Sequence, residues 1–108
     1  MVRTKDQIEA IVRAYLKEVE KDYRISQVLI FGSYATDNAT DMSDIDLAIV
    51  SEDFRGKPEM EILKNLSRKA LFIDTSLEVL AFTPDELVSP DPRSFSYQVK
   101  TRGRPIAA

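Results

Sequence analysis

The sequence predicts a mixed α/β domain, a small β-sheet with helices packed on it. Three observations carry this. Apolar residues recur at helical spacing in two long stretches. Three short runs are continuously apolar, as buried strands are. Capping residues, Pro and Gly stand at the junctions between these stretches.

In chain order, Thr4 followed by Gln7 reads as a capping box. Behind it Ile8, Ile11, Val12, Tyr15, Leu16 and Val19 lie at helical spacing, which predicts an amphipathic helix over 5–21. Ile25 to Phe31 is apolar and β-branched, a buried strand that stops at Gly32-Ser33. The polar stretch Tyr34 to Ser43 reads as a short helical turn and a loop. Ile45 to Val50 forms the second strand, with Asp44 and Asp46 at its start. Asp53 to Lys57 reads as a turn, and Pro58 suits the first turn of a helix whose inner face is Ile62, Leu63, Leu66 and Ala70. Leu77 to Phe82 is the third strand. Thr83-Pro84-Asp85-Glu86 is a second capping box and opens a short helix through Leu87. Pro90 and Pro92 mark a loop, and Ser94 to Lys100 forms a last helix stopped by Gly103. The expected order is α-β-turn-β-α-β-α-α; strand direction is not encoded in such a pattern.

Composition narrows the chemistry. The 108 residues correspond to one domain, 1–108, and the 44% hydrophobic content suffices for a core. There is no cysteine and no histidine, which excludes disulfides, thiolate sites and a Ser-His-Asp triad. Carboxylates, hydroxyls, Lys and Arg remain, a set suited to hard cations such as Mg²⁺. A net charge of −3 does not steer the chain to nucleic acid. No apolar run reaches a membrane span or resembles a signal peptide, so the expectation is a soluble, cytoplasmic protein without membrane contact.

The informative segment is LIFGSYATDNATDMSDIDLAIV, residues 29–50. A strand ends in Gly32-Ser33, ten residues intervene, and Asp44-Ile45-Asp46 opens the next strand. Gly32 can adopt backbone angles closed to other residues and lets an anion approach the main chain. Ser33 adds a hydroxyl and an N–H at the start of a turn, a setting that favours phosphate. Asp44 and Asp46, two apart in a strand, face the same way. Two adjacent carboxylates repel unless a cation sits between them. A calcium loop starting at Asp37 is excluded, because Met42 would stand where Gly is required and Ala48 where Glu is required. No Gly-Lys-Ser/Thr is present, which excludes a Walker-type loop.

At these residues the chain resembles the DNA polymerase β-like nucleotidyltransferases, and within them the minimal nucleotidyltransferases of bacteria and archaea. Their signature, Gly-Ser, a spacer and Asp-x-Asp, reads here as Gly32-Ser33 and Asp44-Ile45-Asp46. The resemblance extends from about Ile25 to the C-terminal RGRPI and implies the nucleotidyltransferase fold. LEVLAFTPDEL is similar to the family's third strand and following turn, which aligns Glu78 with the third metal carboxylate; Asp74 is the neighbouring alternative. Thr36 and Asp37 depart from the family, which often carries a basic residue and a Gly there.

The resemblance implies two Mg²⁺ ions at Asp44, Asp46 and Glu78, and ATP or another NTP held by Gly32 and Ser33. It implies transfer of AMP to a hydroxyl, such as a tyrosine of a HEPN-type helical partner, in an antitoxin role. The alternative is a catalytically inactive antitoxin that neutralises its partner by contact. Exposed Phe95 and Val99 could serve a partner or a homodimer, although core packing is the other use for them. Lys100, Arg102 and Arg104 read as a solvated basic tail that could alternatively touch RNA.

Overall fold

A computed structural model of the chain describes residues 4–32, 44–88 and 90–106, the Phe95 side chain excepted. Helix α1 spans Lys5–Val19 and is opened by the expected capping box. Thr4 Oγ1 accepts from Gln7 N–H at 3.1 Å, and Gln7 Oε1 accepts from Thr4 N–H at 2.8 Å. Strand β1 (Gln27–Phe31) begins two residues later than its apolar pattern suggested. Strand β2 is Ile45–Val50, and a 3₁₀ turn at Glu52–Phe54 follows it. Helix α2 is Glu59–Ile73, with Pro58 as its N-cap in extended geometry. Strand β3 is Leu77–Phe82 and helix α3 is Pro84–Val88. Helix α4 spans Phe95–Arg102 and is capped by Gly103. Strand β4, Arg104–Pro105, was not anticipated: two residues are too few to show a period.

The strands form one sheet in the order β3-β2-β1-β4. β1 runs antiparallel to β2 and to β4, while β2 and β3 are parallel. The parallel pair needs a crossover, and α2 supplies it. Side-chain alternation then sorts residues onto two faces. Ile45, Leu47 and Ile49 of β2, with Val28, Ile30, Leu77 and Val79, pack against α1 and α2 in the larger core. Tyr15 is fully buried there, and its hydroxyl donates to the Leu66 carbonyl at 2.9 Å. Burial pushes its ionisation well above the usual tyrosine range.

On the other face Leu29, Ala48, Val50 and Phe82 meet Leu87 of α3 and Val99 of α4 in a smaller core. Val99 is therefore a core residue and no docking group, the second of its two anticipated uses. This smaller core covers only part of its face. The end of the sheet where β1 finishes and β2 and β3 begin carries polar side chains instead.

Candidate active site

Register brings the acidic residues together. Asp46 lies opposite Phe31 on β1 and directly beside Glu78 on β3. The shared parity of these positions places both carboxyls on the face of the smaller core. Their neighbours Ile45, Leu47, Leu77 and Val79 are buried on the opposite face. Asp44 directly precedes β2 and is exposed. Asp74 is placed elsewhere: it caps the end of α2, and its Oδ1 accepts from Ser76 N–H at 2.8 Å and from Ser76 Oγ at 2.5 Å. Turn chemistry accounts for it.

Electrostatics report how close the pair is. Half-buried Asp46 has its pKa raised to about 6. Burial is the main cause; the charge of Glu78, a hydrogen bond between the two carboxyls and the charge of Asp44 add to it. Asp44 adds its charge to the field at Asp46, and among the described residues no three acidic side chains gather as an ion-holding group. The site in this form is a carboxylate pair with a third acid nearby.

Gly32 closes one side of it. Its φ of +72° is left-handed, and a Cβ there would strike the Asp46 carboxylate. Only glycine lets the β1 terminus pass so near the acid. Ser33 and the stretch Tyr34 to Ser43, including Thr36 and Asp37, lie outside the described residues.

Phe31, Gly32, Asp46 and Glu78 border a cleft of about 770 Å³, completed by residues such as Leu80, Ser67, Gln98 and Arg102. That volume is within the range of small-molecule sites, roughly 300–1,000 Å³. Arg102 is exposed, as the reading of a solvated basic group expects, but it sits on α4, which docks on the sheet and brings it to the border of the cleft. No local pattern marks Arg102 or Gln98 as cleft residues, since only the docking of α4 brings them there.

The chain matches the family described as "Polymerase beta, Nucleotidyltransferase" over residues 14–106. It belongs to the polymerase β nucleotidyltransferase family. Two relatives from Methanocaldococcus jannaschii bear on the type. "Putative protein adenylyltransferase MJ0126" is 40% identical over 48 residues, 44% of this chain and 49% of that protein. "Putative protein adenylyltransferase MJ1215" is 35% identical over 48 residues, 44% of this chain and 56% of that protein. The chain thus spans about half the length of the curated relatives it matches. A solved structure described as "a putative nucleotidyltransferase from Sulfolobus solfataricus" superposes with a TM-score of 0.62 at 21% identity. It covers 97% of this chain and 89% of its own, and shows that the nucleotidyltransferase fold is shared.

The donor set fits a magnesium ion. Carboxylate oxygens are hard ligands, and Mg²⁺ is commonly held by one or two carboxylates plus substrate phosphates. The raised pKa of Asp46 reflects burial and like-charge repulsion, and a cation offsets both. No helix of the described residues is long and apolar enough to cross a membrane.

Proposed function

We propose that this nucleotidyltransferase domain transfers AMP from ATP to a hydroxyl group of a protein. The observation that supports it most is the register of Asp46 beside Glu78, next to the left-handed Gly32 at the same end of the sheet. Asp46 and Glu78 would hold Mg²⁺, with Asp44 as a third ligand once drawn in by the ion, which when bound neutralises charge on the triphosphate and favours attack at phosphorus. Gly32 leaves room for the phosphates, and Ser33, beside it in sequence, offers a hydroxyl and an N–H to them. The acceptor oxygen bonds to the α-phosphorus, the bond to the β-phosphate oxygen breaks, and pyrophosphate leaves. The hydroxyl proton passes to a carboxylate of the cluster or to solvent. Positioning and charge neutralisation carry most of such a transfer, which a small domain can supply.

The acceptor we propose is a tyrosine of a HEPN-type helical partner, modified to silence it, so that the domain acts as an antitoxin. The descriptions of the two relatives as protein adenylyltransferases support protein as the acceptor class. The test is to co-express the domain with its neighbouring gene product and supply ATP labelled at the α-phosphate or at the γ-phosphate. The α-label should appear on the partner and the γ-label should not. Label from the γ-position alone would mean phosphorylation. Neutralisation without label would mean inhibition by contact alone.

A further inference from the structure

We propose that Arg102 binds the polyphosphate of the nucleotide, facing the Asp46–Glu78 pair across the cleft. The assignment rests on the nucleotide-transfer reading above and names the cationic half of its site.

Backbone placement comes first. Arg104 lies opposite Ile30 in the β1–β4 ladder, so the chain just before it runs past Phe31 and Gly32. Arg102 ends α4 at this point. The helix end is fixed there by the packing of its neighbours: Val99 is 1% exposed, and a Cβ at Gly103 would press on the Val99 carbonyl and come within 3.3 Å of Leu29 Cβ. Arg102 therefore projects from a docked element, although its own side chain is exposed.

Charge makes the second step. Among the described residues bordering the cleft, the charged ones are Asp46, Glu78 and Arg102. No ion pair joins Arg102 to a described carboxylate. The other basic residues of this segment differ: Lys100 donates to the Val88 carbonyl at 2.5 Å, and Arg104 sits in β4. The border of the cleft thus carries an acidic pair that attracts a cation and a guanidinium that attracts an anion. A metal-bound polyphosphate presents both, whereas a sugar or a free base presents neither. The planar guanidinium suits phosphate through paired N–H donors, which a lysine lacks.

The experiment is calorimetric titration with ATP in Mg²⁺, with inorganic tripolyphosphate, and with adenosine. It uses the wild type, Arg102→Gln, Arg102→Lys and a control, Arg13→Gln, whose exposed side chain lies on α1, across the sheet. Arg102→Gln should weaken ATP and tripolyphosphate about tenfold or more, as expected for losing a charge-assisted contact, and leave adenosine unchanged. Arg102→Lys should fall between, and the control should match the wild type. Unchanged ATP and tripolyphosphate binding in Arg102→Gln, beside a wild type that binds both, would overturn the Arg102 assignment alone. A wild type that binds neither would overturn the nucleotide reading and this assignment with it. Should Arg102→Gln fail to fold, Arg102→Lys decides: reduced tripolyphosphate affinity in a folded protein supports the assignment, and full affinity overturns it.

Discussion

Gly32 and Gly56 offer a controlled comparison. Both have positive φ, +72° and +76°, so alanine strains the backbone at either, by about 1–2 kcal/mol. At Gly56 a Cβ meets nothing within 4 Å, whereas at Gly32 it strikes the Asp46 carboxylate. Gly32→Ala should therefore lower the melting temperature more than Gly56→Ala, each kcal/mol being worth roughly 4–8 °C in a domain of about this size. It should also reduce nucleotide affinity, which Gly56→Ala should spare; equal effects would mean that Gly32 serves only a turn. Asp46 carries a pH signature. Its folded pKa of about 6 lies above the ordinary 3.8, so the folded state holds this proton more tightly than the unfolded chain. The resulting stabilisation is full below about pH 3.8 and is lost as pH rises through 6. Asp46→Asn removes that loss. In metal-free buffer its advantage over the wild type should grow between pH 4 and 7, to about 1 kcal/mol once solvent screening of a half-buried group is allowed for. A melting-temperature difference that stays flat over this range would show that Asp46 is not strained in the ion-free fold. Asp46 was legible from its spacing to Asp44 at a strand start and Glu78 from the family resemblance, and strand parity agrees with both, because an acid inside an apolar run faces away from the core. Arg102 was illegible, because its surroundings depend on where a distant helix docks.

At the level of elements, α1, β2, β3 and α3 follow from apolar spacing and capping residues, to within a residue or two at their ends. The capping box of α1 forms as read; at α3 only half of one forms, Thr83 N–H and Oγ1 both donating to Glu86 Oε1 at 3.0 and 3.1 Å while Glu86 N–H donates to the Thr83 carbonyl and not to its hydroxyl. Two things escaped the pattern. Strand direction depends on what connects the strands in space, and β4 exists only because β1 offers it an edge. The eight-residue α4 is too short to stand alone and depends on tertiary contacts. Gly103 is the joint between α4 and β4, and its φ of −73° is open to any residue. Its restriction is steric, from the Val99 carbonyl and Leu29. Gly103→Ala should loosen this joint and lower the melting temperature, and hydrogen exchange should rise selectively over residues 95–106. Uniform exchange, or none beyond the wild type, would mean that α4 is held without it.

Across the whole molecule, one face of the sheet is fully committed to the core under α1 and α2. The opposite face is only partly covered, by α3 and α4, and it leaves an open end. The parallel pairing of β2 with β3 starts both strands at that end, and the antiparallel β1 finishes there. Topology thus collects Gly32 from just past the end of β1, Asp46 and Glu78 from β2 and β3, and Arg102 from a helix. The most direct measurement is ATP binding with Mg²⁺ and with EDTA, by calorimetry, in the wild type, Asp46→Asn, Glu78→Gln and Asp74→Asn. Wild type and Asp74→Asn should bind with similar affinity and only with the metal, while Asp46→Asn and Glu78→Gln should lose about tenfold or more, the scale of a lost charged contact. Binding indifferent to EDTA, or loss on changing Asp74 and retention on changing Glu78, would contradict the site.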